Sequence, residues 1–248
     1  MYPAACSFWN STNTSLEDSR ASRIVWVLEV LELDYEVKTY ARDRNMLAPK
    51  ELKKLWPIGL FPLLQVFKQG LSESETVAES GHIVSYLARN YDHKKQLVTK
   101  TPEDTELADY YLHFAEGSLQ PHLVSMLVNR IAVQSVYWPV SVLVGAVTLQ
   151  MNSKYYGARL KSALEFLDSQ LEKKGGGYFV GDSLTVADLI LDFPINQNIF
   201  GTGPVGGAGR ELNAIQAYPH LYKWHQLTTS LPSHIRAMAR EKTEVAKL

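Results

Sequence analysis

The chain has a single cysteine, Cys6, among 248 residues, so no intramolecular disulfide can brace it. Its stability has to come from a packed core, and a lone thiol fits a reducing compartment. An excess of charge of either sign is also missing. The 25 basic and 26 acidic residues leave a net charge of -1, which favours neither nucleic acid nor an anionic membrane surface over a small molecule, so no nucleic-acid partner is expected. No stretch of about 20 uncharged apolar residues occurs, as a membrane-spanning helix requires. The nearest, Ile131 to Met151, carries no charge, but Gln134, Ser135, Pro139, Ser141 and Gly145 interrupt it. We read it as helix, turn and buried helix rather than a transmembrane span. Met1 to Trp9 lacks the basic start and long apolar run of a secretory signal. The seven histidines show no zinc-like spacing with acidic or cysteine partners, so no metal site is expected. No G-x-S-x-G elbow occurs either.

Hydrophobic residues make up 46% of the chain, enough for an ordinary core. Ser19 to Leu33 reads as a helix with Ser19 as N-cap and Ile24, Val27, Leu28 and Leu31 on one face. Tyr35 to Tyr40 and Phe61 to Phe67 have strand character, and Gly70 to Ala78 supplies a turn and a return strand. Ser80 to Arg89 closes this half as a helix. A polar stretch from Asp92 to Thr101, followed by Pro102, reads as a linker. Beyond it the periodicity is helical. Leu107, Tyr111 and Phe114 form one apolar stripe. Tyr156, Leu160, Leu164, Leu167 and Leu171 form a second, and Val186, Leu189, Ile190 and Phe193 a third. Only Val140 to Val144 has a strand-like run after residue 100. Strands mixed with helices, then helices alone, predict an α/β N-terminal domain over residues 1–92 and an all-α C-terminal domain over 102–248.

Four local motifs occur in order: Ser19-Arg20-Ala21-Ser22-Arg23, Trp56-Pro57-Ile58-Gly59-Leu60-Phe61-Pro62-Leu63-Leu64, Ala78-Glu79-Ser80-Gly81-His82-Ile83, and Ser183-Leu184-Thr185-Val186-Ala187-Asp188. Together they resemble the cytosolic-type glutathione transferase superfamily. Glu51 to Leu55, Glu79 to Gly81, Tyr110 to Leu112 and Glu116 to Pro121 look like the fungal members associated with the endoplasmic reticulum. The resemblance covers roughly residues 16 to 240. It implies a thioredoxin-like first half that binds glutathione and a helical second half that shapes a pocket for an electrophile.

By this resemblance Pro62 is cis, and Phe61 offers its backbone N–H and C=O to the cysteinyl unit of glutathione. The plainer reading is an edge-strand proline. Ser80, with its helix N-terminus, would hold the γ-glutamyl carboxylate, or simply cap the helix. Glu79 would contribute to the ammonium site. Lys54 would meet the glycine carboxylate, or be an exposed lysine in a charged run. Ser19, four residues before Arg23 as in serine-type members, would donate to the glutathione sulfur and stabilise the thiolate, or only cap its helix. Ser22 is the alternative donor, and Arg20 adds positive potential. Phe114, Glu116 and Gln120 are candidates beside the electrophile pocket. Thr185 and Asp188 form a capping-box relative with a structural role.

The implied activity is conjugation of glutathione, as co-substrate, to small electrophiles in detoxification, with no other cofactor. Peroxide reduction at the same thiolate and a non-catalytic binding or regulatory module are the alternatives. The resemblance also implies a homodimer in the cytoplasm, associated peripherally with the endoplasmic reticulum.

The sequence departs from the family at the first strand. Ser11 to Leu16 is polar and poorly suited to the centre of a sheet. Ala4 to Trp9 is more apolar but leaves a long interval before Ser19. Gly201 to Gly206 matches G-x-G-x-x-G, but a helical stripe precedes it, so we read it as a loop rather than a dinucleotide site. Arg236 to Lys247 reads as a solvated tail or helix end.

Overall fold

A computed structural model describes residues 5–12, 20–41, 53–59, 61–67, 74–202 and 213–245 of the chain. The first half is a four-stranded sheet in the order β2-β1-β3-β4, built from β1 (Ala5–Thr12), β2 (Tyr35–Ala41), β3 (Leu63–Phe67) and β4 (Ser74–Ala78). β1 runs parallel to β2 and antiparallel to β3, and β4 closes the sheet antiparallel to β3. Register shows which part of the N-terminal stretch forms the first strand; the interval from there to Ser19 lies outside the described residues. Ala5 to Trp9 pairs with β3, and Cys6 to Trp9 pairs with β2 as well. The polar stretch Asn10 to Thr12 pairs with β2 alone. The apolar segment therefore takes the central, doubly paired position, and the polar residues extend past it, where among the described residues only β2 pairs with them.

Helix α1 (Ser22–Val30) starts three residues later than the sequence suggests, and its N-cap position holds Ala21. Ser19 lies outside the described residues. Ile24, Val25, Trp26, Val27 and Leu28 are all buried, so the helix is enclosed on every side, as its composition demands. The last helix, α10 (Pro232–Val245, the charged run of the C-terminus), covers one of those sides. It is not a solvated tail. Trp26 Nε1 donates to Ser233 Oγ at 3.1 Å, and Arg236 Nε to Glu29 Oε2 at 2.8 Å. Ala237 and Glu241 are buried against the body of the protein.

Between them α2 (Ser80–Tyr91) returns to the sheet, burying Ile83, Val84 and Leu87. The rest is helical: α3 (Pro102–Phe114), α4 (Gln120–Gln134), α5 (Val140–Met151), α6 (Gly157–Lys174), α7 (Val186–Leu191), α8 (Ala214–Ala217), α9 (Pro219–Thr229) and α10. Three wide π-helical turns lie among them: Ala115–Leu119, Asn152–Tyr156 and Asp192–Gln197. α3 opens on a capped start, with Asp104 N–H donating to Thr101 Oγ1 at 3.0 Å. Its core face is Ala108, Tyr111 and Leu112, and Leu107, expected inside, is 40% exposed. α6 buries Leu160, Leu164, Leu167 and Leu171 as its stripe predicts, and ends at Gly175 in the left-handed conformation.

The reading of Ile131 to Met151 is corrected in two respects. Val140 to Val144 is helical, not a strand, and α5 has no buried residue at all. The segment preceding Gly201 is helical, as its stripe predicts and as the rejection of a dinucleotide site requires; residues 203–212 lie outside the described residues. No described helix is long and apolar enough to cross a membrane.

The capping motif of α7 is formed. Asp188 is buried and accepts from Thr185 N–H at 3.0 Å, Thr185 Oγ1 at 3.2 Å, Phe179 N–H at 3.0 Å and Trp224 Nε1 at 2.8 Å. It ties α7, the loop before it and α9 together. Asp188→Ala strands these buried donors, so unfolding in urea should show a loss of at least about 3 kcal/mol. A loss below about 1 kcal/mol would contradict the structural role given to this carboxylate.

Candidate active site

The loop before β3 and the junction of β4 with α2 face each other across a cleft. Arg20, Trp56, Phe61, Pro62, Ala78 and Glu79 line it. The Phe61–Pro62 peptide bond is cis, the alternative that the family resemblance favours over an edge-strand proline. Glu79 sits at the N-cap of α2 with φ +68°, a backbone region that costs a non-glycine residue about 1–3 kcal/mol and is found most often at functional sites. The first N–H groups of α2 have no partner within the helix, so its N-terminus offers donors and a positive partial charge to an anion.

Ser80, the first residue of α2, is nearly buried. Its hydroxyl donates to Glu116 Oε1 at 3.3 Å. The same oxygen lies 2.7 Å from Arg23 Nη1, and Glu116 Oε2 lies 3.4 Å from Arg20 Nη1. Arg23 is wholly buried, and Nη1 also donates to the Ile190 carbonyl of α7 at 2.8 Å. Burial pushes the guanidinium below its ordinary pKa, and the Glu116 carboxylate opposes that shift. Among the described residues Nε and Nη2 of Arg23 have no hydrogen-bond partner, so Glu116 carries most of the compensation for this buried cation. Glu116 stands in the π-helical turn Ala115–Leu119, and such widened turns are frequent at functional sites.

The sequence candidates are thus distributed unevenly. Phe61, Pro62 and Glu79 line one cleft, and Ser80 opens the helix at its edge. Lys54 is exposed and is not among the cleft-lining residues. Ser22, the alternative thiol donor, is fully buried in α1. Glu116, expected beside the electrophile, contacts the Ser80 end of the site instead. Its 36-residue separation from Ser80 leaves no local pattern from which that contact could be read. Phe114 packs against Tyr110 and Phe166 with ring centroids at 5.7 and 5.4 Å, and Gln120 is buried. Trp56 joins the cleft although the sequence gives it no role beyond its motif. Among the described residues no group of acidic, histidine or cysteine side chains is arranged to hold a metal.

Residues 14–89 match the family model for the glutathione S-transferase N-terminal domain, and residues 145–237 that for the glutathione S-transferase C-terminal domain. Glutathione S-transferase 1 of Saccharomyces cerevisiae is 32% identical over 228 residues, 92% of each chain. The chain belongs to the glutathione S-transferase family. Solved structures carry the same fold. A glutathione transferase homolog from Lodderomyces elongisporus, with two glutathione molecules per subunit, matches with a TM-score of 0.70 at 22% identity over 95% of this chain and 98% of that one. Ure2p in complex with glutathione matches with a TM-score of 0.69 at 18% identity, again over 95% and 98%. In this transferase family member the sheet-bearing half and the helical half meet at the Arg23–Glu116 pair, which joins the cleft through Arg20 and Ser80.

Glu116→Ala leaves the Arg23 cation buried without its counter-charge, which costs about 3–5 kcal/mol. Differential scanning calorimetry should record a marked fall in Tm. An unchanged Tm would mean that Arg23 finds another partner and that the pair does not brace the two halves.

Proposed function

We propose that this protein binds glutathione in the Phe61–Glu79 cleft and conjugates its thiolate to small apolar electrophiles. The observation that supports this most is the convergence of the Phe61–Pro62 turn with the N-terminus of α2 and Ser80. A tripeptide with two carboxylates and an extended centre suits that combination. The Phe61 backbone pairs with the cysteinyl unit, and Ser80 with the free N–H groups of α2 receives the γ-glutamyl carboxylate. Glu79 contributes to the ammonium end, and Lys54 receives the glycine carboxylate. The two-domain division at residues 1–92 and 102–248 and a homodimer in the cytoplasm belong to the same proposal.

Conjugation needs a thiolate, because an unperturbed thiol with pKa about 8.5 is only a few per cent ionised at neutral pH. In this reading Ser19 donates its hydroxyl to the sulfur and so favours the anion, while glutathione supplies the nucleophile. Arg20, which lines the cleft, adds positive potential. Lowering the thiol pKa by two units corresponds to about 2.7 kcal/mol, within reach of one hydrogen bond and a nearby helix end. The helical half supplies the electrophile wall, with the region Leu107 to Val128 as its source. Peroxide reduction would draw on the same thiolate and is separated from conjugation only by its product. The doubly paired β1 supports an intact sheet behind the cleft, in keeping with a catalytic reading.

Conjugation of glutathione to chlorodinitrobenzene by the purified protein tests the proposal. Ser19→Ala should lower turnover by at least about tenfold while retention on glutathione resin persists. Ser80→Ala should weaken glutathione binding by about tenfold, the worth of one charge-assisted hydrogen bond. A parent protein that binds the resin but turns over neither this substrate nor a hydroperoxide would show a binding module instead.

A further inference from the structure

Glu116 enters the site from the helical half, yet it makes its contacts at the first turn of α2. Ser80 Oγ donates to its Oε1 at 3.3 Å, and its stem lies beside Gly81, where a Cβ atom would stand 3.9 Å from Glu116 Cγ. The Glu116 side chain is 28% exposed, and Oε2 lies 3.4 Å from Arg20, which lines the cleft. A fully buried carboxylate would serve to neutralise Arg23, which lies 2.7 Å away on the inner side. The exposed part of this one can meet a second partner that comes from the cleft.

The head group of glutathione has the shape of such a partner. Its carboxylate and ammonium are carried by one carbon, which holds their polar atoms about 3 Å apart. A carboxylate received by Ser80 and the α2 N-terminus therefore leaves the ammonium within hydrogen-bonding reach of Glu116 Oε1, 3.3 Å from Ser80 Oγ. The serine hydroxyl has a single proton to give. When it turns from Glu116 to the ligand carboxylate, Oε1 loses a donor, and the ammonium replaces it. The exchange also keeps the charges balanced. Arg20 and Arg23 stand beside Glu79 and Glu116, two cations with two carboxylates, and a zwitterionic head group adds one of each sign.

Glu79 is the competing acceptor. It lines the cleft, but it is exposed, and its side chain makes no capping bond to α2. Ion pairs of a solvated carboxylate are worth little, whereas those of a half-enclosed one are screened less.

We propose, on the glutathione reading of the cleft, that Glu116 receives the γ-glutamyl ammonium directly. A carboxylate of the helical half thereby selects γ-glutamyl thiols that carry a free amine. The bound head group then joins α2 to the π-helical turn Ala115–Leu119 across the junction of the two halves, and Glu79 adds its field from a longer range.

Isothermal titration calorimetry with two ligands tests this. One is glutathione; the other is glutaryl-cysteinylglycine, which keeps the thiol and both carboxylates and lacks only the amine. The parent should bind glutathione at least about tenfold more tightly, the worth of one charge-assisted hydrogen bond. Glu116→Gln should bring the two affinities within about threefold of each other, and Glu79→Gln should keep a preference of at least about fivefold. Circular dichroism melts establish that both variants are folded. If Glu116→Gln melts below the assay temperature, the parent and Glu79→Gln decide the matter. Equal affinity of the parent for both ligands overturns the proposal and leaves the glutathione reading standing. Loss of the preference in Glu79→Gln, or its full retention in folded Glu116→Gln, overturns it in the same way. A parent that binds neither ligand overturns the glutathione reading and this proposal together.

Discussion

A guanidinium enclosed by protein sits where the two halves of the molecule meet. Arg23 projects from α1 of the sheet-bearing half, and its Nη1 reaches both Glu116 of the helical half and the Ile190 carbonyl of α7. Removing such a cation from water costs several kcal/mol, and only a well-placed anion offsets that. Glu116 is that anion, and the Ser80 hydroxyl shares its oxygen. The requirement that Arg23 be neutralised therefore fixes the packing of the halves and the position of the α2 N-terminus together. The π-helical turn at Ala115–Leu119 is the local device that brings Glu116 to this point.

Everything at the cleft inherits from this constraint. The sheet presents the Phe61–Pro62 turn and Glu79 from adjacent strands, because β3 and β4 are paired through Leu63 and Ala78. α2 then leaves the sheet with its N-terminus directed at the same space. Glu79 holds its strained φ of +68° between a paired strand and a buried helix, each of which restricts it. In the proposed function, that order of elements means the peptide recognises glutathione largely through backbone groups, and side chains such as Ser80 and Ser19 tune what the backbone has already positioned.

Much of the architecture was legible because it rests on local chemistry. The stripes of α2 and α6, the strand character of Tyr35 to Tyr40, and the Thr185–Asp188 capping motif are patterns within a few residues, and each is realised. The first strand was only half legible. Composition identified Ala4 to Trp9 as the better strand, but whether it could be central depended on pairing with residues near positions 36 and 65, which no local rule supplies. Leu107 was placed inside because three- and four-residue spacing fits two adjacent helix phases, and Ala108 with Leu112 selected the other one. The burial expected for α5 failed for a different reason. Apolar composition reports what a helix would gain by being covered, not whether this chain contains anything to cover it. Glu116 had no local signature as a partner of Ser80, since their contact follows from docking of the two halves.

The most direct test of the account is the ionisation of glutathione on the protein, followed by the ultraviolet absorbance of its thiolate as pH is varied. Bound glutathione should ionise about two pH units below the free tripeptide, whose thiol has an ordinary pKa of about 8.5, and Ser19→Ala should return it toward that value. Tight binding with an unshifted thiol would contradict the account, since the site would then hold glutathione without activating it.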